Sequence, residues 1–142
     1  MSTSPSDFNA KIIEEFRANE GRVGGGFEGL PLLLLHHTGA RSGRDRINPL
    51  AYRRDDGRYV VFASKGGAPM HPAWYHNLKA NPQARIEVGT ETIDVVASEA
   101  AGGERERLFR AQAGRVPQFG EYERRTERVI PVMVLTPRAP AS

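Results

Sequence analysis

Residues 39–52 read GARSGRDRINPLAY. Three arginines (Arg41, Arg44, Arg46) and two glycines (Gly39, Gly43) fall within eight residues, and the chain then turns apolar. An arginine fork matches phosphate and carboxylate oxygens, and glycines let backbone N–H groups turn toward a ligand. Such a loop suits an anion, with Asp45 expected to pair with one of the arginines; the alternative is a solvated hairpin tip. A second patch, residues 63–82, reads ASKGGAPMHPAWYHNLKANP. Ser64, Lys65, Gly66 and Gly67 follow a strand-like run and stop just short of a helix start, where backbone donors and a cation again suit an anion. Trp74, the only tryptophan, can wall a flat ligand or fill a core. Asn77 stands three residues on, on the same helix face.

Other motifs fail on context. Gly24, Gly26 and Gly29 satisfy G-x-G-x-x-G, but they follow a helix and precede a strand, the reverse of a dinucleotide fingerprint. Residues 39–46 lack the Gly-Lys-Ser/Thr ending of a P-loop. Adjacent strand residues face opposite ways, so His36 and His37 cannot share one metal. His71 and His76 are five apart, about 500° around a helix, and fall off a shared face. No metal site is expected. The chain has no cysteine, which excludes disulfides and thiolate sites, and no G-x-S-x-G elbow.

The elements that must position these patches are short. Residues 7–19 form an amphipathic helix, with Phe8, Ile12 and Phe16 on one face and Ser6 as N-cap. Strands are expected over residues 30–38, 47–54, 59–64, 84–88, 91–97 and 129–135, and helices over 72–81, 103–113 and 118–127. Asp55-Asp56-Gly57 and Gly89-Thr90 close hairpins. Hairpins without regular βαβ alternation point to an antiparallel barrel with helices packed outside. The 142 residues suit one domain, with residues 1–6 and 138–142 as loose tails, a helix within 7–20 and a core over 30–137.

Composition sets limits. The net charge is +3, and 20 basic residues face 17 acidic ones. Only Lys11, Lys65 and Lys79 are lysines; codon bias accounts for much arginine, so local clustering is what informs. The strand faces lack an aromatic ladder for single-stranded nucleic acid. The longest apolar run, residues 30–35, is too short to span a bilayer. The first helix carries mixed charge, which favours packing on the barrel over a membrane surface. No leader pattern opens the chain, so a cytoplasmic location without stable membrane insertion is expected.

Three stretches together, TGARSGRDRINPL, ASKGGAPMHPAWYHNLKANP and RVIPVMVLTPR, resemble in order and spacing the deazaflavin-dependent nitroreductase family of actinobacteria, which uses coenzyme F420. The resemblance implies an α+β fold: a split β-barrel of the FMN-binding kind, mainly antiparallel, with about six strands and flanking helices. It implies an oxidoreductase in which reduced F420 passes a hydride to an electron-poor small molecule, an activated double bond, a quinone or a nitro compound. Carried over, Arg41 and Arg46 take the cofactor's phosphate. Ser64 and Lys65, with the Gly66 and Gly67 N–H groups, meet the phosphate or the adjoining chain. Asn48 and Pro49 shape the groove wall, and Trp74 and Asn77 line the cleft. Arg44 and Lys79 attract the tail carboxylates at longer range. Tyr122 falls at the substrate pocket as proton donor, while Val116 and Phe119 replace tyrosines of the nitro-drug-activating members and make the pocket more apolar. Barrels of this kind often pair, so a homodimer is compatible. A non-catalytic deazaflavin carrier and a barrel binding FMN or a tetrapyrrole are the competing readings.

Overall fold

A computed structural model describes residues 5–23, 31–63, 71–115, 120–121, 124 and 130–138, with side chains from residue 10 onward. Helix α1 (Pro5–Ala18) leads into β1 (Leu32–Thr38), β2 (Asp45–Asp55) and β3 (Arg58–Phe62). Then follow α2 (Ala73–Ala80), β4 (Gln83–Val88), β5 (Glu91–Glu99), α3 (Gly102–Arg115) and β6 (Val132–Pro137). The six strands close a barrel in the order β1-β2-β3-β6-β5-β4, every pairing antiparallel, with β4 returning to β1. The ends of the odd strands and the starts of the even ones therefore share one mouth. The loop between β1 and β2, helix α2 and the start of α3 all lie there.

Side-chain alternation divides the strands between two cores. Leu33, Leu35, Tyr59, Val61, Ile86, Val95, Met133 and Leu135 fill the barrel. Leu32 and Leu34 face outward under Ile12 and Phe16 of α1. Val60, Val132 and Val134 face outward under Leu108 and Phe109 of α3. Each fully buried aliphatic contributes roughly 1.5–3 kcal/mol, so β1, apolar on both phases, holds barrel and helix together. Helix α2 plugs the mouth: Trp74 and Leu78, one turn apart, enter the barrel core.

The expected strands and hairpins are present, with shifted ends. Asp56 and Gly57 both have positive φ (51° and 77°), the two-residue turn that matches strand twist. The last strand begins at Val132, three residues later than expected, because Pro131 has no N–H to give a ladder. The carbonyl before it, on Ile130, instead accepts Nε and Nη2 of the buried Arg105 at 3.2 and 2.8 Å. Helix α1 starts at Pro5, so Ser6 lies inside it rather than capping it; proline suits a first turn. Helix α2 starts after Pro72, so His71 precedes it. Its ring comes within 5.9 Å of His76 and 4.9 Å of Tyr75, against the separation expected had both histidines been helical. The Phe8 side chain, the glycines at 24, 26 and 29, and most of residues 118–127 lie outside the described residues.

Candidate functional site

The loop after β1 is closed on itself. Gly39 N–H donates to the Arg44 carbonyl (2.8 Å), Gly43 N–H to the Gly39 carbonyl (3.0 Å) and Arg44 N–H to Ser42 Oγ (3.2 Å). Gly43 sits at φ +69°, where a Cβ is strained. This turn meets α2 across a cleft of about 570 Å³, lined by Gly39, Ala40, Arg41, Ser42, Arg46, Ala73, His76 and Asn77.

The cleft is electropositive. Arg41, Arg44 and Arg46 are exposed, and among the described residues none has a carboxylate partner; Asp45, expected to pair with one of them, does not. Several arginines elsewhere are paired: Arg17 with Glu87 (2.7 Å), Arg85 with Asp94 (3.0 Å), Arg107 and Arg58 with Asp55 (3.0 and 2.8 Å). Guanidinium groups without a carboxylate partner among the described residues, beside the Ser42 hydroxyl, suit an oxyanion.

Behind the cleft runs a buried relay. His37 points inward from β1 and is 3% exposed, Asn77 7%. The Ala40 N–H donates to Asn77 Oδ1 at 2.9 Å. A backbone N–H can only donate, so this contact fixes which way the Asn77 amide faces. Its Nδ2 must then donate to His37 Nδ1, 3.0 Å away. That nitrogen is thereby an acceptor, and the ring proton sits on Nε2, which donates to Asn48 Oδ1 at 2.7 Å. The imidazole is the neutral Nε2–H tautomer. Burial pushes the His37 pKa below its usual 6.5; the Asn48 bond opposes this, while Arg46 and His36 add to it.

The structure thus brings Arg41, Arg46, Asn48 and Asn77 to one place, Asn48 behind the cleft through His37. Pro49 lies next along β2, opposite Leu34. Trp74, 5% exposed, belongs to the barrel core and does not line the cleft. Lys79 is drawn away to Glu99 at 3.0 Å. Ser64, Lys65, Gly66, Gly67 and Tyr122 lie outside the described residues, as do Val116 and Phe119. Sequence reasoning missed His37 and Ser42. The clue to His37 was a polar residue on the inward phase of an otherwise apolar β1.

A second cleft, about 620 Å³, opens on the other flank of α2 between His71, Tyr75, Glu99, Arg105 and Ile130. Tyr75 donates its hydroxyl to Glu99 Oε1 (2.8 Å), which also takes Lys79. Burial raises the Glu99 carboxyl, but the Lys79 and Tyr75 bonds outweigh it and leave the pKa below the usual value.

The profile of a family described as "F420H(2)-dependent quinone reductase" matches residues 10–137. An F420H(2)-dependent quinone reductase of Mycobacterium tuberculosis is 42% identical over 127 residues, covering 87% of this chain and 85% of that protein. Among solved structures, an F420-H2 dependent reductase is 40% identical with a TM-score of 0.68, over 74% of this chain and 93% of that one. A structure described as a domain-swapped dimer is 36% identical with a TM-score of 0.69, over 93% and 99%. The split barrel, the basic loop at its mouth and a match running through almost all of the described residues give one assignment: the chain belongs to the F420H(2)-dependent quinone reductase family.

Proposed function

We propose that this chain reduces quinones at the expense of reduced F420, and that the cleft at the barrel mouth holds the cofactor's phosphate. The observation that carries the site is that Arg41 and Arg46 line this cleft with no carboxylate partner among the described residues. These residues fit the group: a phosphodiester and tail carboxylates present anionic oxygens, and the cleft offers guanidinium forks, a serine hydroxyl and an asparagine amide.

When bound, reduced F420 supplies the hydride. The chain's own work is to bind, orient and exclude water. In this reading Arg41 and Arg46 grip the phosphate, assisted by Ser64, Lys65 and the Gly66 and Gly67 N–H groups. Arg44 attracts the tail from solvent, where screening is stronger. Asn48 and Pro49 keep the wall of the groove. Trp74 acts from the core, by fixing α2. Tyr122 hands a proton to the quinone oxygen as the ring accepts the hydride, so that a hydroquinone leaves. A cytoplasmic location belongs to the same reading; no described helix is long and apolar enough to cross a membrane. So does a homodimer, supported by the description of the 36% identical structure.

A fluorescence titration with F420 tests the site. Arg41→Ala and Arg46→Ala should each cost about 1.5–3 kcal/mol, the worth of a hydrogen bond to a charged group, or roughly 10–100-fold in Kd. The loss should shrink at high salt. Unchanged affinity in both variants would remove the loop from the phosphate site. Steady turnover of a quinone panel separates a reductase from a carrier.

A further inference from the structure

We propose that His37 is a positioning residue for the bound anion: its neutral Nε2–H form holds Asn77 in the one orientation that captures the Ala40 N–H, and protonation releases the loop that carries Arg41 away from Arg46 on β2. The inference rests on the reading of this cleft as the cofactor-phosphate site.

The contacts leave little freedom. Asn77 bridges Ala40 N–H (2.9 Å) and His37 Nδ1 (3.0 Å), and His37 bridges on to Asn48 Oδ1 (2.7 Å). Every donor meets an acceptor in one arrangement only. A proton on Nδ1 would face the Asn77 NH₂ with two donors and no acceptor. The amide must then turn, which presents its NH₂ to the Ala40 N–H. Either way a buried donor goes unmatched, and the cheapest relief is for residue 40, exposed at the surface, to give up its bond. The loop would lose its tie to α2 and the cleft its wall.

The charges around His37 do not offset this. His36 adjoins it on β1, facing the other way and bonded to Glu87 of β4; Arg46 stands opposite it on β2 and Asp45 opposite Thr38. Arg85 on β4 lies opposite His36 and is tied to Asp94. From α2 come His76 and Lys79, the latter held by Glu99. Nothing among these pairs a charged imidazole at His37.

The sign makes the idea testable. Simple attraction predicts that a protonated histidine beside the cleft tightens an anion. Release of the loop predicts weakening on acidification, by up to about tenfold per pH unit below the His37 pKa, as the competent fraction falls. F420 affinity would be measured from pH 4.5 to 8 in wild type, His37→Gln and His37→Ala. Glutamine supplies a donor and an acceptor but does not titrate. It should bind within about threefold of wild type at pH 7.5 and flatten the relative profile, whereas alanine should bind weakly throughout. Titration of the cofactor itself cancels between wild type and the glutamine variant. In parallel, ¹⁵N NMR on the protein without cofactor should show His37 protonated at Nε2 at pH 7.5, and the Ala40 amide shifting with the His37 titration. That arm stands even if F420 fails to bind at any pH, an outcome that would defeat the functional reading and leave the relay intact. An Nδ1–H tautomer, an Ala40 amide indifferent to His37, or wild-type affinity that tightens in acid relative to His37→Gln would overturn the proposal.

Discussion

The Asn77→Asp substitution changes one atom and should reverse the pH dependence of stability. The aspartate can still accept the Ala40 N–H through one oxygen. Its other oxygen replaces the Nδ2 that donates to His37 Nδ1 at 3.0 Å. Two acceptors then oppose each other at a site where His37 is 3% exposed. The remedy is a proton on Nδ1, and a carboxylate at this distance raises a histidine pKa by about 1–3 units. In wild type the folded-state pKa lies below the ordinary 6.5. The stability this contributes is complete above 6.5 and is lost as pH falls toward the lowered value. In the variant the folded value is raised, so its contribution is complete below 6.5 and is lost as pH climbs through the new value. At pH 8.5 the variant forfeits one bond and leaves a buried acceptor unmatched, together about 1–3 kcal/mol. For a chain of this size that is about 3–12 °C in Tm. At pH 5 the gap should close to a few degrees, because the imidazolium now pairs with the carboxylate. Thermal melts of both proteins at pH 5, 7 and 8.5 read this directly. A deficit equal at all three pH values, or largest at pH 5, would refute the tautomer assigned to His37.

Two further outcomes follow from other groups. Asp55 is held at about 2 by bonds from Arg107 and then Arg58, a shift nominally worth about 2.5 kcal/mol at 1.36 per unit. Solvent around the half-exposed Arg107 reduces that to about 1 kcal/mol. Asp55→Asn should therefore lose about this much in urea melts at pH 7. The wild-type advantage should fade as pH drops from 3.8 toward about 2; an advantage undiminished at pH 2.5 would count against the fork. Tyr122→Phe should lower quinone turnover about 10–100-fold, the low end of general-acid assistance, with F420 affinity nearly unchanged. Normal turnover would leave water as the proton source.

Much of the barrel was legible because its rules are local. Apolar alternation marked the strands, Asp56-Gly57 marked a hairpin, and Pro72 and Asn81 bracketed α2. The misplaced ends have local causes acting against pattern. Residues 129–131 continue the apolar run of β6, but Pro131 cannot join a ladder. Ser6 looks like a cap, but Pro5 already occupies the first turn of α1. The His71–His76 separation was argued on helix angle, and failed because the helix opens one residue past Pro72.

The site was legible as two patches and not as one place. Arginine spacing announced an anion without saying what stands behind the loop. That depends on register. The pairing of β1 with β2 sets Leu35 opposite Asn48 and His37 opposite Arg46, and closure of β4 onto β1 brings the barrel mouth round to α2. Only then does an inward histidine meet an amide from each motif. Asn48 and Asn77 were picked out for a wall and serve first in a hydrogen-bond chain that orients it. Trp74 was read as wall or filler, and its burial with Leu78 shows why α2 can act as a fixed anchor. A loop whose backbone is tied through Asn77 and His37 to β2 has a shape before any ligand arrives. In the proposed site, Arg41 on that loop would lose less freedom on binding than an arginine on a free hairpin tip.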